Sequence, residues 1–189
     1  TVTPNIQKKT DSLISGAESR DEIISRIFSF VAGQIIYEDL TFQYDAIIPQ
    51  SAESVLEDGY GDCKDKSILL ISMLKAAGID SYIALSLPEY QGEKTFLPSP
   101  RFSHTFVVLD NNGTELILDP TTGIFSYPEF PPEMIGSWYL PIPPEGNSQE
   151  KVIKRIGPSL DGNSTVLVYN LEVDEKEFKL QAAAVYGGY

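Results

Sequence analysis

GDCKDKSILLISMLKAAG, residues 61–78, decides how this chain is read. Asp62 and Asp65 stand three apart at its start, the spacing of a helix N-cap and a first-turn acid, and Gly78 closes it as a residue suited to the left-handed C′ position. Between Ile68 and Ala77 only Ser72 and Lys75 are polar. A helix so apolar around its circumference is buried on most sides. Asp65 is expected to cap it and to pair with Lys64 or Lys66. Cys63, the one cysteine of the chain, falls one residue inside the helix start. Unpaired amides and the positive end of the helix dipole favour a thiolate there, and the same amides can donate to an oxyanion. Asp62 and Asp65 oppose the thiolate, so a nucleophilic Cys63 needs a cation beside it.

The one imidazole is His104. It opens the apolar run HTFVVLD, residues 104–110, and Asp119 closes the run TELILDP, residues 114–120. Asn111-Asn112-Gly113 between them is a hairpin signal. A two-residue loop at 111–112 sets His104 opposite Asp119, and one at 112–113 makes them a diagonal pair. Both leave the two side chains on one face, whereas a three-residue loop breaks that parity unless a bulge restores it. Turn chemistry alone can therefore bring Asp119 to His104, to orient the ring and stabilise its imidazolium. Nothing local brings Cys63 to either.

Outward from these segments, Ile6, Leu13, Ile14 and Ala17 predict a first helix after Pro4. Ser19 and Glu22 form a capping-box pair ahead of Ile23, Ile24, Ile27, Phe28, Val31 and Ile35, a second helix. Residues 38–49 have no helical period and read as a surface crossing; 51–56 read as a short helix and 79–87 as a strand. The proline-punctuated loop 88–102 enters beside His104 and suits either a lid or a plain connection. The Pro- and aromatic-rich stretch 121–144 fits irregular packing over the core better than the floor of a substrate groove. A break of composition at Glu145-Gly146-Asn147-Ser148 separates a domain over 1–145 from a segment over 146–189. In that segment 151–156, 165–173 and 178–186 read as strands, too few to bury a face alone. They begin an accessory β-domain or pack onto the first.

With 189 residues the chain suits one domain, or one and a fragment of another. Its 27 acidic against 14 basic residues, net charge −13, exclude the clustered cations a nucleic-acid surface needs. One cysteine excludes an internal disulfide, and one Cys with one His excludes a Cys/His zinc cage. The acids lack calcium-loop spacing, so no metal and no cofactor is expected. No apolar run approaches the roughly 18 residues that would cross a bilayer. The chain starts at Thr1 with neither Met nor a signal-like segment, and reads as a piece of something longer.

GDCKDKSILLISMLKAAGI, then FSHTFVVLD, then LILDPTTG, together resemble the Cys, His and Asp segments of the transglutaminase-like superfamily. The likeness runs from about Ser19 to Leu140 and is nearest to bacterial members set between β-rich domains of exported proteins. It implies an α+β, papain-like core, with the nucleophile on a central helix packed against an antiparallel sheet, followed by C-terminal β-strands. It also implies Cys63 as nucleophile, His104 as base and acid, and Asp119 as the orienting carboxylate. A second oxyanion donor is implied upstream of the cysteine, with Tyr37 as first candidate and Gln50 behind it. The activity so implied is acyl transfer on amides, chiefly peptide hydrolysis through a thioester, in the periplasm or outside the cell. The alternative is a non-catalytic peptide- or glycan-binding module that keeps the fold.

Overall fold

The computed structural model describes residues 1–39, 48–88, 102–111, 114–129, 131–144, 153–157, 164–173 and 178–187. Four helices precede the main sheet. Helix α1 (Pro4–Ile14) starts from Thr3, whose hydroxyl accepts the Ile6 N–H. Helix α2 (Arg20–Gln34) starts from Ser19, which accepts the Glu22 N–H at 3.1 Å. A two-residue strand β1 (Ile36–Tyr37) follows, then α3 (Ala52–Asp58) and the equally short β2 (Tyr60–Gly61). These two strands pair in parallel, Ile36 with Tyr60 and Tyr37 with Gly61. The expected surface crossing lies mostly outside the described residues, as do most of the loop 88–102 and the hairpin tip at 112–113.

Helix α4 (Cys63–Ala76) realises the central element. Asp62 is its N-cap, Asp65 completes a reciprocal capping box, and Gly78 takes φ +75° just past the end. Leu69, Leu70, Met73 and Leu74 are wholly buried against Ile24, Ile27, Phe28 and Val31 of α2 and against Val107, Leu109 and Leu118. Burial of such side chains contributes about 1.5–3 kcal/mol each, which fixes α4 firmly between the other helices and the sheet.

That sheet has five strands in the order β5-β4-β3-β6-β7, all pairs antiparallel: β3 (Ser81–Leu87), β4 (His104–Asn111), β5 (Thr114–Leu118), β6 (Trp138–Ile142) and β7 (Lys154–Arg155). Strand β4 is buried on both faces. Val107 and Leu109 meet the helices, while Phe106 and Val108 join Tyr82, Ala84, Met134, Tyr139 and Ile156 on the other side. The stretch 121–144 is less irregular than expected, because β6 adds to β3. Among the described residues β7 pairs only Trp138 and Tyr139 of β6, and Pro141 lies opposite Ala84 of β3.

The first compact unit runs from Thr1 to Ile156, later than the break of composition at 145. The reason is β7: Lys154 and Arg155 pair with β6, and Ile156 is buried beside Met134 and Tyr139. The second unit, Gly157–Tyr189, is an antiparallel pair of β8 (Ser164–Val173) and β9 (Phe178–Gly187). Among the described residues no helix is long and apolar enough to cross a membrane.

Candidate active site

The hairpin fixes half of the site. Asn111 pairs with Thr114 and Val107 with Leu118. In that register His104 and Asp119 are the diagonal pair on one face, and Asp119 lies just beyond the end of β5. His104 Nε2 meets Asp119 Oδ2 at 2.8 Å. Asp119 is only 2% exposed; its other oxygen accepts the Thr121 N–H at 3.0 Å and the Thr121 hydroxyl at 2.6 Å. Burial alone would raise its pKa, and the bonds from His104 and Thr121 outweigh that and hold it below the usual aspartate value.

The start of α4 supplies the other half. Cys63 is half-buried, and His104 and Thr105 are near enough to act on its sulfur. Since Asp119 takes Nε2, Nδ1 is the ring nitrogen left for the sulfur. Burial pushes the thiol pKa up and Asp62 pushes the same way, yet the bonds from His104 and Thr105 and the imidazolium charge bring it below the ordinary thiol value. For His104 burial disfavours the cation, but Asp119 and Cys63 together lift its pKa to about 10. The thiol is thus lowered and the imidazole raised, each in part by the other, and His104 is the cation set against the acids beside Cys63.

Thr105 has no place in the sequence reading. It has the opposite parity to His104 on β4 and faces α4, where Ser67, one turn beyond Cys63, lies 3.5 Å from its hydroxyl. A hydroxyl at the start of an otherwise apolar strand was the available signal.

The acids at the helix start hold it in place. Asp62 accepts the N–H groups of Lys64 and Asp65, and its carbonyl accepts that of Lys66. None of these bonds uses the Cys63 N–H, at the first helical position. Lys64 pairs with Asp62 rather than with Asp65. Asp65, 1% exposed, accepts instead from the N–H of Asp62 and from Gln50 through both its N–H and its side-chain amide. Gln50, the second candidate, is thus held to Asp65 in the first turn of the nucleophile's helix.

Tyr37, the first candidate donor, is paired through its backbone with Gly61, two residues before Cys63, and its side chain is 45% exposed. Burial, followed by the charges of Cys63, Asp39, Asp62 and Asp119, pushes its phenol up to about 12, so it remains a donor. Among the described residues no group of three or more His, Cys, Asp or Glu is arranged to hold a metal ion.

Gly61 makes the turn possible. A Cβ there would lie 2.6 Å from Asp65 Cβ, so any side chain forces the capping acid or the backbone to move. Gly61→Ala is expected to cost about 1–3 kcal/mol of stability, read by urea unfolding, and to slow Cys63 alkylation. A variant with unchanged stability and reactivity would show that the turn has slack.

A cysteine at the head of a buried helix, facing a His–Asp pair on an antiparallel sheet, defines a papain-like, cysteine-protease-like α+β fold. The chain belongs to the transglutaminase-like superfamily, whose family model matches residues 7–106. No protein with a curated description matches the sequence significantly. Among solved structures, a suspected protease from Parabacteroides distasonis superposes with a TM-score of 0.61 at 13% identity, over 87% of this chain and 33% of its own. A suspected cysteine protease from Cytophaga hutchinsonii gives 0.48 at 18% identity, over 62% of this chain and 37% of its own. LapG from Legionella pneumophila, treated with EGTA, gives 0.45 at 21% identity, over 65% of this chain and 73% of its own. This chain therefore spans about a third of the length of the first two, and at such identities the likeness is one of fold.

Proposed function

We propose that this chain is a cysteine-dependent acyl-transfer enzyme acting on amides, with peptide hydrolysis as its main reaction. The observation that carries the reading is the row Cys63–His104–Asp119, a lowered thiol beside a raised imidazole that is bonded to a buried carboxylate. The Cys63 thiolate adds to the amide carbonyl, and the electron pair of the C=O bond moves onto oxygen. The Cys63 N–H and the Tyr37 hydroxyl donate to that oxyanion. As the C=O bond re-forms, the C–N bond breaks, and Nδ1 of His104 gives its proton to the leaving amine. A thioester remains. Neutral His104 then takes a proton from water, whose oxygen attacks the thioester; collapse breaks the C–S bond and returns thiolate and imidazolium.

The experiment is incubation with a diverse peptide mixture, comparing wild type and Cys63→Ala by mass spectrometry. New termini made only by the wild type are expected. Ammonia loss or isopeptide linkage would name an amine as acceptor instead, and identical profiles would leave the non-catalytic peptide- or glycan-binding module. The substrate proposed is a peptide or protein. The resemblance to exported bacterial proteins extends the proposal to a periplasmic or extracellular location, with this chain joined to further domains.

A further inference from the structure

Lys66 lies about one turn beyond Cys63 on α4, is 1% exposed, and has no part in the chemistry above. A buried ammonium is costly unless its donors are satisfied. Two of its three are spent on main chain: Nζ donates to the carbonyl oxygen of Ile35 at 2.7 Å and to that of Ala32 at 3.3 Å. These carbonyls close α2, whose last turn carries no basic residue of its own, so Lys66 serves the negative end of that helix from a neighbouring one. Burial lowers its pKa to about 8, against the pull of Asp119, which raises it.

What the clamp holds is the approach to Tyr37. Ile35 is the residue immediately before β1. On the following side, the Ile36 N–H donates to the Gly59 carbonyl at 2.9 Å and the Glu38 N–H to the Gly61 carbonyl at 3.1 Å. Backbone bonds to β2 and its flank thus fix Tyr37 to the turn before Cys63, and Lys66 fixes the incoming chain to the nucleophile's own helix. We propose that Lys66 is a positioning residue for the oxyanion side of the site: by clamping the junction of α2 and β1 to α4, it sets the Tyr37 hydroxyl against the Cys63 sulfur. This rests on the reading of Tyr37 as an oxyanion donor. A compact ammonium on a straight stem reaches two carbonyls that no shorter neutral side chain spans together. Losing the clamp frees the junction, and a displacement of about 1 Å at a reacting site is enough to cost on the order of 10²-fold in rate.

The test separates two reactions of one sulfur. Acylation of Cys63 by p-nitrophenyl acetate passes through an oxyanion; alkylation by iodoacetamide does not. Both rates are measured for Lys66→Met, Lys66→Gln, Tyr37→Phe and the double variants, with alkylation followed against pH and folding checked by thermal unfolding. Tyr37→Phe is expected to lower the ratio of acylation to alkylation by about 10²-fold, the worth of one oxyanion donor. Lys66→Met is expected to lower it comparably, with the pH midpoint of alkylation unmoved, and the double variant no further. Lys66→Gln, which keeps an amide donor, should recover part of the loss, and it carries the cycle if the methionine variant does not fold. Additive losses, or an alkylation midpoint displaced by the Lys66 variants, overturn the clamp while leaving Tyr37 in its role. A Tyr37→Phe protein with an unchanged ratio overturns the oxyanion role and the clamp together.

Discussion

His104→Ala is expected to lower turnover on the order of 10³- to 10⁴-fold and to move the pH of half-maximal Cys63 alkylation up, to or beyond the ~8.5 of a free thiol. Two losses combine. The bond and charge of His104 are what overcome the burial and the Asp62 carboxylate that push the thiol up. Without them only a few per cent of the sulfur is thiolate at pH 7. The leaving amine also loses its acid. The signs of the two limbs follow from the directions of the shifts. Alkylation reads thiolate alone and rises with pH through the lowered pKa of Cys63. Wild-type turnover needs in addition the proton on His104, so it rises with the thiolate and falls as pH passes about 10. The alanine variant keeps a single rising limb in alkylation. An alkylation profile identical to wild type would show that sulfur and imidazole are not a pair.

The parts of this site set by local chemistry could be read from the sequence. Asp62, Asp65 and Gly78 bound α4 because caps act within a turn, and the pairing of Asn111 with Thr114 sets a register that puts His104 and Asp119 on one face. Parity left open which of two loops formed, but either gave the same pair. What the pattern could not supply was the partner of each buried group. Lys66 reads as a possible partner of Asp65, yet its donors go to carbonyls of Ala32 and Ile35, at the end of a helix far back in the chain. Gln50 stands behind Tyr37 as a candidate oxyanion donor in the sequence, and its amide is bonded to Asp65. Thr105 reads as one more β-branched strand residue until α4 is laid across β4. Strand β6 is hidden in the sequence by Pro141, a residue that argues against a strand until its pairing with β3 is seen. Each of these depends on which elements pack together, a property of the whole core.

Asp119→Asn is expected to lose about as much activity, on the order of 10⁴-fold, with little change of shape. The aspartate has two acceptor oxygens, and both are in use. Oδ1 takes the N–H and the hydroxyl of Thr121, and Oδ2 meets Nε2 of His104. Asparagine has one oxygen and one NH₂. Two donors at Thr121 claim the oxygen, which turns the NH₂ toward the imidazole. Nε2 must then accept, the ring proton moves to Nδ1, and the imidazolium is disfavoured because its Nε2–H would face another donor. The ring can still donate to the sulfur but no longer holds a second proton for the leaving amine, and the Cys63 alkylation midpoint rises. Loss of one charge-assisted bond should cost about 1–3 kcal/mol of stability, so unfolding measured beside turnover separates a mis-set proton from a lost fold. Turnover within tenfold of wild type in a folded Asp119→Asn protein would mean that packing, not the carboxylate, orients His104, and that the working unit is the pair of sulfur and imidazole alone.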